Sequence, residues 1–405
     1  FDAGCRADCP SHCLLAARNE RDGATVAAWI ASDRYGPLES EAHAPIYGMD
    51  LMGHRDYARR SLDFFVQRYK PDGLLTTGYT LMGTGWHLWT LARHHALWQD
   101  KPWFDLVAPK AAQAAQWIAR QCEKTRRTNR SPEETPEAGL VPPGVGADWN
   151  RFAYRFAIQA HYYAGLREIA DALNRIRHPQ AGRLSGEADR FREAILYAYR
   201  WNQARTPAWP LFDGLCIPAY SGMLYGFGTT GEMIPGEDGN RSWAYDVELG
   251  AHHLVPLGVI GPGDPETEQM IDHMENVWFL QSGMGDYPAD KNEADFFNMG
   301  GFSKVQPYYT RNAEIYALRD DVKPFLRSYF NALAAQVSLE NLSLWEHFHN
   351  IGAWNKTHET GWFLVQTRTL FVAERGEDLW LAPFAPSQWF NDGNVIAIEN
   401  APTRF

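Results

Sequence analysis

Phe325, Leu326, Tyr329, Phe330, Leu333, Ala334 and Val337 keep an unbroken three-four spacing, and that spacing restricts the fold more than any other feature of the chain. It puts every apolar side chain of the run on one stripe of a helix, and the stripe needs a neighbour to cover it. The same signature returns over Pro45–Tyr69, Trp103–Cys122 and Phe152–Leu173, with further candidates over Met270–Phe279 and Gly361–Val372. Strand signals are few, the best being Val26–Ile30 and Ile396–Ile398. Between the helices lie long segments rich in Gly, Pro and aromatics: Gly73–Gly85, Ser131–Trp149, Leu211–Trp243 and Gly283–Tyr309. Loops of that length in a compact domain carry function more often than filler. No βαβ alternation, GxGxxG or GxxxxGK[ST] is present, so nucleotide-binding α/β folds are set aside. A rhythm of helix, long aromatic loop, helix and short turn predicts about ten to twelve helices paired as hairpins. That is an all-α toroid, an (α/α)6-type ring whose long loops gather over a central cavity. An irregular helical bundle is the plainer alternative.

Hydrophobic residues make up 45% of the 405 positions, enough for a sizeable core. Aromatics reach 14%; such rings fill helical cores, and they also stack on the apolar faces of sugars. The net charge of −11 argues against nucleic acid and against anionic membrane surfaces. No apolar run approaches the roughly 18 residues of a membrane span. The chain opens on Phe1 and closes on a strand-like Val395–Asn400, and so reads as a piece of a longer protein. The expected division is a segment 1–30 ending a preceding β domain, a catalytic domain 31–375 and a β segment 376–405. Cys5, Cys9 and Cys13 cluster without a CxxC pair, which disfavours a zinc ribbon. The odd cysteine count leaves the compartment open, with secretion or periplasm preferred to cytoplasm.

The chemistry sits in the loops. Asp33, Glu39 and Glu41 lie within eleven residues together with His43, just ahead of the first helix. Glu39 and Glu41 share a face in extended backbone, so one can raise the other's pKa and keep it protonated, as a general acid requires. A solvated acidic loop at a helix N-terminus is the alternative. Gly83-Thr-Gly-Trp86-His87 and Gly144-Val-Gly-Ala-Asp148-Trp149 each set small residues before a ring and a polar group at a helix entrance. Core packing of Trp86 and Trp89 competes with a ligand-facing role. Near the C-terminus, Ser343–Trp362 gathers Trp345, Glu346, His347, His349, Trp354, His358 and Glu359. Glu346, flanked by rings, is placed to polarise a water as general base. His347, His349 and His358 have no recognised metal spacing, so no metal or other cofactor is expected. No GxSxG elbow supports a serine triad.

Leu344-Trp-Glu-His, with Thr357-His358 opening an apolar helix a dozen residues later, resembles the late catalytic motif of bacterial α-L-rhamnosidases. Asp33-Arg34-Tyr35-Gly36 resembles the first half of that family's acid-rich loop, while Pro37–Glu41 departs from the second half. Ala147-Asp148-Trp149 resembles its Gly-Asp-Trp. The resemblance covers roughly residues 30 to 375 in rhythm and is specific only in these motifs. It implies a six-hairpin (α/α)6 glycosidase acting on an oligosaccharide or polysaccharide with inversion. Glu346 would be the base and one of Asp33, Glu39 and Glu41 the acid. Trp86, Trp149, Trp345 and Trp354 would wall the sugar, with His87, Asp148, Tyr309 and His358 around its hydroxyls. Two other classes stay open. One is a polysaccharide lyase using Tyr308, Tyr309, Arg311 or His252-His253; the other is a non-catalytic carbohydrate binder.

Overall fold

The computed structural model describes residues 3–19, 25–31, 35–38, 41–76, 82–126, 131, 135–146, 152–211, 213–219, 221–227, 248–275, 306–347, 352–399 and 401–405. Within them, α1 (Ala3–Ala16) precedes an antiparallel ribbon of β1 (Ala17–Asn19) and β2 (Thr25–Ala28). Five further helices follow: α2 (His43–Leu51), α3 (Arg55–Val66), α4 (Gly83–Trp98), α5 (Lys101–Arg126) and α6 (Phe156–Arg175). Next come α7 (Ala181–Gln203), a hairpin of β3 (Ala208–Pro210) and β4 (Cys216–Pro218), and a 3-10 turn Ala251–Leu254. The chain ends with α8 (Pro265–His273), α9 (Asn312–Arg319), α10 (Val322–Gln336), α11 (Thr357–Phe371) and a hairpin of β5 (Val372–Arg375) and β6 (Asp378–Leu381).

Burial sorts the helices into two layers. Fourteen of the fifteen residues of α11 are buried, against eight of twenty-three in α7; the first is wrapped on all sides and the second shows one stripe to the core. By this measure α2, α4, α6 and α11 are inner, and α3, α7 and α10 are outer. Neighbouring inner elements pack in sequence: α2 on α4, α4 on α6, and α6 on the turn Ala251–Leu254. His252 Nε2 meets the carbonyl of Thr310 at 2.7 Å, which joins that turn to the segment entering α9. Then α9 packs on α11, and α11 packs on α2. The last helix thus closes against the first, and the chain forms a ring.

Glycines set the tightest inner contacts. A Cβ on Gly48 would fall 2.4 Å from the carbonyl oxygen of Gly361, and one on Gly165 would fall 2.0 Å from that of Gly85. These pairs let α2 approach α11, and α4 approach α6, backbone to backbone. Gly85 therefore serves helix packing rather than the approach of a ligand. Gly53, at φ +89°, breaks the expected single helix 45–69 into α2 and α3. The strand expected over Val26–Ile30 is met in part by β2, whereas the one expected over Ile396–Ile398 is not formed. Residues 3–16 are helical, with Cys9 and Cys13 buried as free thiols; α1 packs on α11 and α2 and belongs to the ring. Residues 394–399 pair with no strand, although β5 and β6 do form a hairpin nearby. Among the described residues, no helix is long and apolar enough to cross a membrane.

Candidate active site

Three backbone ties bring sequence-distant segments to one mouth of the ring, where α2 and α11 begin. Ala31 bridges Lys356, and Thr357 donates its N–H to the carbonyl of Ile30 (2.8 Å) and its hydroxyl to that of Trp29 (2.7 Å). The segment entering the 33–41 loop is thereby fixed to the N-terminus of α11. Glu346 lies in the α10–α11 connection. Its N–H donates to Ala353 O (3.0 Å), and Ala353 N–H donates back to its Oε2 (2.9 Å). The return of this loop needs Gly352, whose φ is +86° and whose Cβ would lie 2.6 Å from that of Glu346. No other side chain fits there.

Lys356 stands at the centre. Its ammonium reaches Glu346 Oε1 at 2.8 Å and Glu41 Oε2 at 3.5 Å, and it lies 4.2 Å from the ring centre of Tyr35. It is 2% exposed, and both carboxylates are 8% exposed. Tyr35, in left-handed backbone, donates its hydroxyl to Glu346 Oε2 at 3.4 Å. His358 extends the chain of charge, with Nδ1 3.1 Å from Glu41 Oε2 and Nε2 3.1 Å from Glu359 Oε1. Both are ion-pair distances that fall off the hydrogen-bond axis. Glu359 accepts the N–H groups of Tyr308 (2.9 Å) and Tyr309 (3.0 Å) and the amide of Gln336 (2.8 Å).

The electrostatics follow from these contacts. Burial raises the pKa of each carboxyl, but Lys356 and the neighbouring imidazoles (His358 for Glu41, His347 for Glu346) outweigh it and hold both near 2. The two carboxylates raise the Lys356 pKa well above its ordinary value, against the opposing effect of burial. Burial lowers the His358 pKa, but Glu41 and Glu359 outweigh it and hold it above its ordinary value. Of the three carboxyls among which the acid was expected, Glu41 has a cation as its dominant described neighbour, which favours its ionised form. Glu346 is an ionised, largely desolvated carboxylate, which suits a general base.

The structure brings Glu41 and Glu346 together from opposite ends of the sequence. Trp345 and Trp354 stand half-buried in the same connection. Tyr309 packs its ring 4.8 Å from His358. Asp33, Glu39, Asp148 and Trp149 lie outside the described residues. His87 is not at the site: it is fully buried between α3 and α4, against the Tyr69 hydroxyl (2.5 Å) and the Leu62 carbonyl (3.2 Å). Trp86 is fully buried, 5.2 Å from His43 and 5.4 Å from Phe65. His358 is fully buried with both nitrogens against carboxylates. The parts set aside for a lyase are committed elsewhere. Tyr308 hydroxyl donates to Tyr329 O, Arg311 forks onto Glu314, and His253 Nε2 meets Glu248 O. Lys356 itself escapes the sequence reading, although it is the one Lys or Arg in the Ser343–Trp362 stretch. Among the described residues, no group of three or more His, Cys, Asp or Glu is arranged to hold a metal.

Neither a protein-family model nor a curated protein matches the sequence. Solved structures do match in shape. A wild-type glycosidase aligns with TM-score 0.55 at 14% identity over 91% of this chain and 99% of its own. The GH63 mannosylglycerate hydrolase of Thermus thermophilus, in complex with glucose, aligns with TM-score 0.53 at 11% identity over 91% of this chain and all of its own (100%). A bacterial glucoamylase complexed with acarbose aligns with TM-score 0.52 at 15% identity over 82% of this chain. The match spans about half, 48%, of that glucoamylase. The fold is an (α/α)6 toroid.

Proposed function

We propose that this chain is a glycoside hydrolase, with Glu346 as the general base that activates water at the mouth where α2 and α11 begin. The observation that carries the reading is the buried Glu346–Lys356–Glu41 bridge, a base kept ionised at the entrance of a toroid shared with glycosidases. Trp345, Trp354 and Tyr35 supply rings to a sugar beside it. The substrate is a carbohydrate, and a terminal α-linked glucose or mannose unit joins α-L-rhamnosides in the first panel. Rhamnose itself rests on the sequence resemblance alone.

Glu41 and Glu346 are not the acid–base pair of an inverting reaction in this arrangement. Their oxygens touch one ammonium at 3.5 and 2.8 Å, so they stand closer than the roughly 6.5–9.5 Å that leaves room for a water. Lys356 favours the ionised form of both. The proton donor is therefore sought among Asp33, Glu39 and Asp148, and Glu41 is assigned to fixing Lys356 and His358. The test is a screen of glucosidic, mannosidic, rhamnosidic and uronic oligosaccharides with mass readout, repeated on Glu346→Gln and on Asn or Gln variants at the three candidate acids. Hydrolysis products that vanish in Glu346→Gln while the fold persists support the reading. An unsaturated product, or undiminished turnover in Glu346→Gln, refutes it.

A further inference from the structure

Glu359 is fully buried, and the proposed reaction gives it no proton to move. A carboxylate in such a place is costly unless it is paired and hydrogen-bonded, so its partners tell what it holds. They come from three segments. Oε2 accepts the N–H of Tyr308 (2.9 Å) and the side-chain amide of Gln336 (2.8 Å). Oε1 accepts the N–H of Tyr309 (3.0 Å), with His358 Nε2 3.1 Å away. This one side chain thus ties the first turn of α11 to the end of α10 and to the segment that enters α9.

Gln336 is the last residue of α10 and is just as deeply buried. Besides Glu359, its amide nitrogen donates to the carbonyls of Trp345 (3.0 Å) and Glu346 (3.2 Å). Its own backbone carbonyl accepts the N–H of Trp345 (3.1 Å). Three acceptors around one NH2 group fix which way the amide points. Closing the helix does not call for this side chain, because the Val337 N–H already bonds Leu333 O (3.0 Å). Core packing does not call for it either. The amide oxygen is buried with no hydrogen-bond partner among the described residues, a cost that an apolar side chain of the same length would not carry. What only an amide supplies here is the link from Glu359 to the backbone of Glu346. That backbone is held from its other side by Ala353 (3.0 Å), and the Glu346 carboxylate then meets Lys356 at 2.8 Å.

We propose that Gln336 and Glu359 are positioning residues for Glu346. The carboxylate orients the Gln336 amide, and the amide holds the backbone of Trp345 and Glu346 so that the Glu346 side chain falls on Lys356. The placement stands on these bonds alone, while its consequence for turnover rests on the hydrolase reading.

The test is Gln336→Met, which keeps the length of the side chain and alters no charge. Lys356, His347 and Tyr35, the described titratable groups that face Glu346, all stay in the chain. Denaturant unfolding is measured from pH 2 to 7 for wild type, Gln336→Met, Glu346→Gln and the double variant. Below about pH 4.5 the wild type loses the contribution of Glu346. Gln336→Met is expected to flatten that fall, and to leave the slope unchanged once Glu346 is already Gln. At pH 7 the effect of Glu346→Gln on the folding equilibrium constant is expected to shrink roughly tenfold in the Gln336→Met background. Stability curves of wild type and Gln336→Met that run parallel across the range, or that coincide, overturn the proposal. Where Gln336→Met fails to fold, Gln336→Asn, whose amide falls one carbon short, decides by the same criteria. On any sugar that the wild type cleaves, Gln336→Met is expected to lower kcat roughly tenfold or more with KM little changed. A flattened slope in a chain that cleaves no sugar supports the placement and counts against the hydrolase reading. A flattened slope with kcat unchanged overturns the part assigned to these residues in turnover.

Discussion

The two mouths of the ring carry opposite chemistry. At the near mouth, where α2 and α11 begin, the carboxylates Glu41 and Glu346 flank a buried Lys356, and Glu41 and Glu359 flank His358. At the far mouth, where the same helices end, Arg93, Arg311, Arg368 and Arg375 surround a cavity. Parallel inner helices point their positive ends one way and their negative ends the other. A ring of them therefore sorts acidic and basic side chains to its two faces before any ligand is considered. What separates the faces further is how their charges are satisfied. Near-mouth carboxylates share cations with one another in a continuous chain, whereas each far-mouth arginine has its own acid. The first arrangement tunes protonation and the second neutralises each charge separately.

The largest effect expected is on turnover. Glu346→Gln lowers kcat by roughly 10²–10⁴-fold, while Glu41→Gln, which removes no base, costs markedly less; steady-state kinetics on any cleaved sugar ranks the two. Equal losses would erase the division of roles between them. Next is stability. Lys356→Met leaves two carboxylates buried side by side and costs about 3–5 kcal/mol by denaturant unfolding. Arg375→Met, whose pair with Asp320 is half open to solvent, costs about 1 kcal/mol or less. If the far-mouth variant lost as much, the contrast between shared and separate pairing would fail.

A pH titration of stability sharpens the same point. Glu41 and Glu346 have folded pKa values near 2 against an ordinary 4.5. Their contribution is present above about 4.5 and is lost as pH falls from there toward 2. His358 is raised from its ordinary 6.5. Its contribution is full below that value and fades as pH climbs through the folded pKa. Lys356→Met removes most of the acid-side slope. Gly352→Ala costs about 1–3 kcal/mol in backbone strain alone and shifts Glu346, visible as a lower kcat with KM little changed.

Much of the ring was legible because outer helices carry a stripe. Phe325, Tyr329 and Ala332 of α10 are buried at helical spacing, and α5 is as clear. Inner α4 is apolar and polar all round, since the ring wraps it, so Gly83–Trp98 reads as loop and short helix start rather than as sixteen helical residues. The helix at 3–16 hides behind Pro10, although Cys5, Cys9 and Cys13 stand four apart, a helical interval. At the site, the pairing of Glu41 with Glu346 follows from ring closure, which a toroid implies. The charge state did not follow, because it depends on Lys356, and one lysine before a helix carries no spacing signal. Trp86 and His87 show the converse. Aromatic and titratable residues at a helix entrance look functional in sequence, yet both side chains are fully buried, one against His43 and Phe65 and the other against Tyr69 and Leu62.

The most direct test is the pH dependence of kcat/KM on a cleaved sugar for wild type and Lys356→Met. With Lys356 holding Glu346 ionised, the acidic limb of the wild type lies below about pH 4, and in Lys356→Met it moves upward by a unit or more. An acidic limb that stays in place when Lys356 is removed contradicts the account.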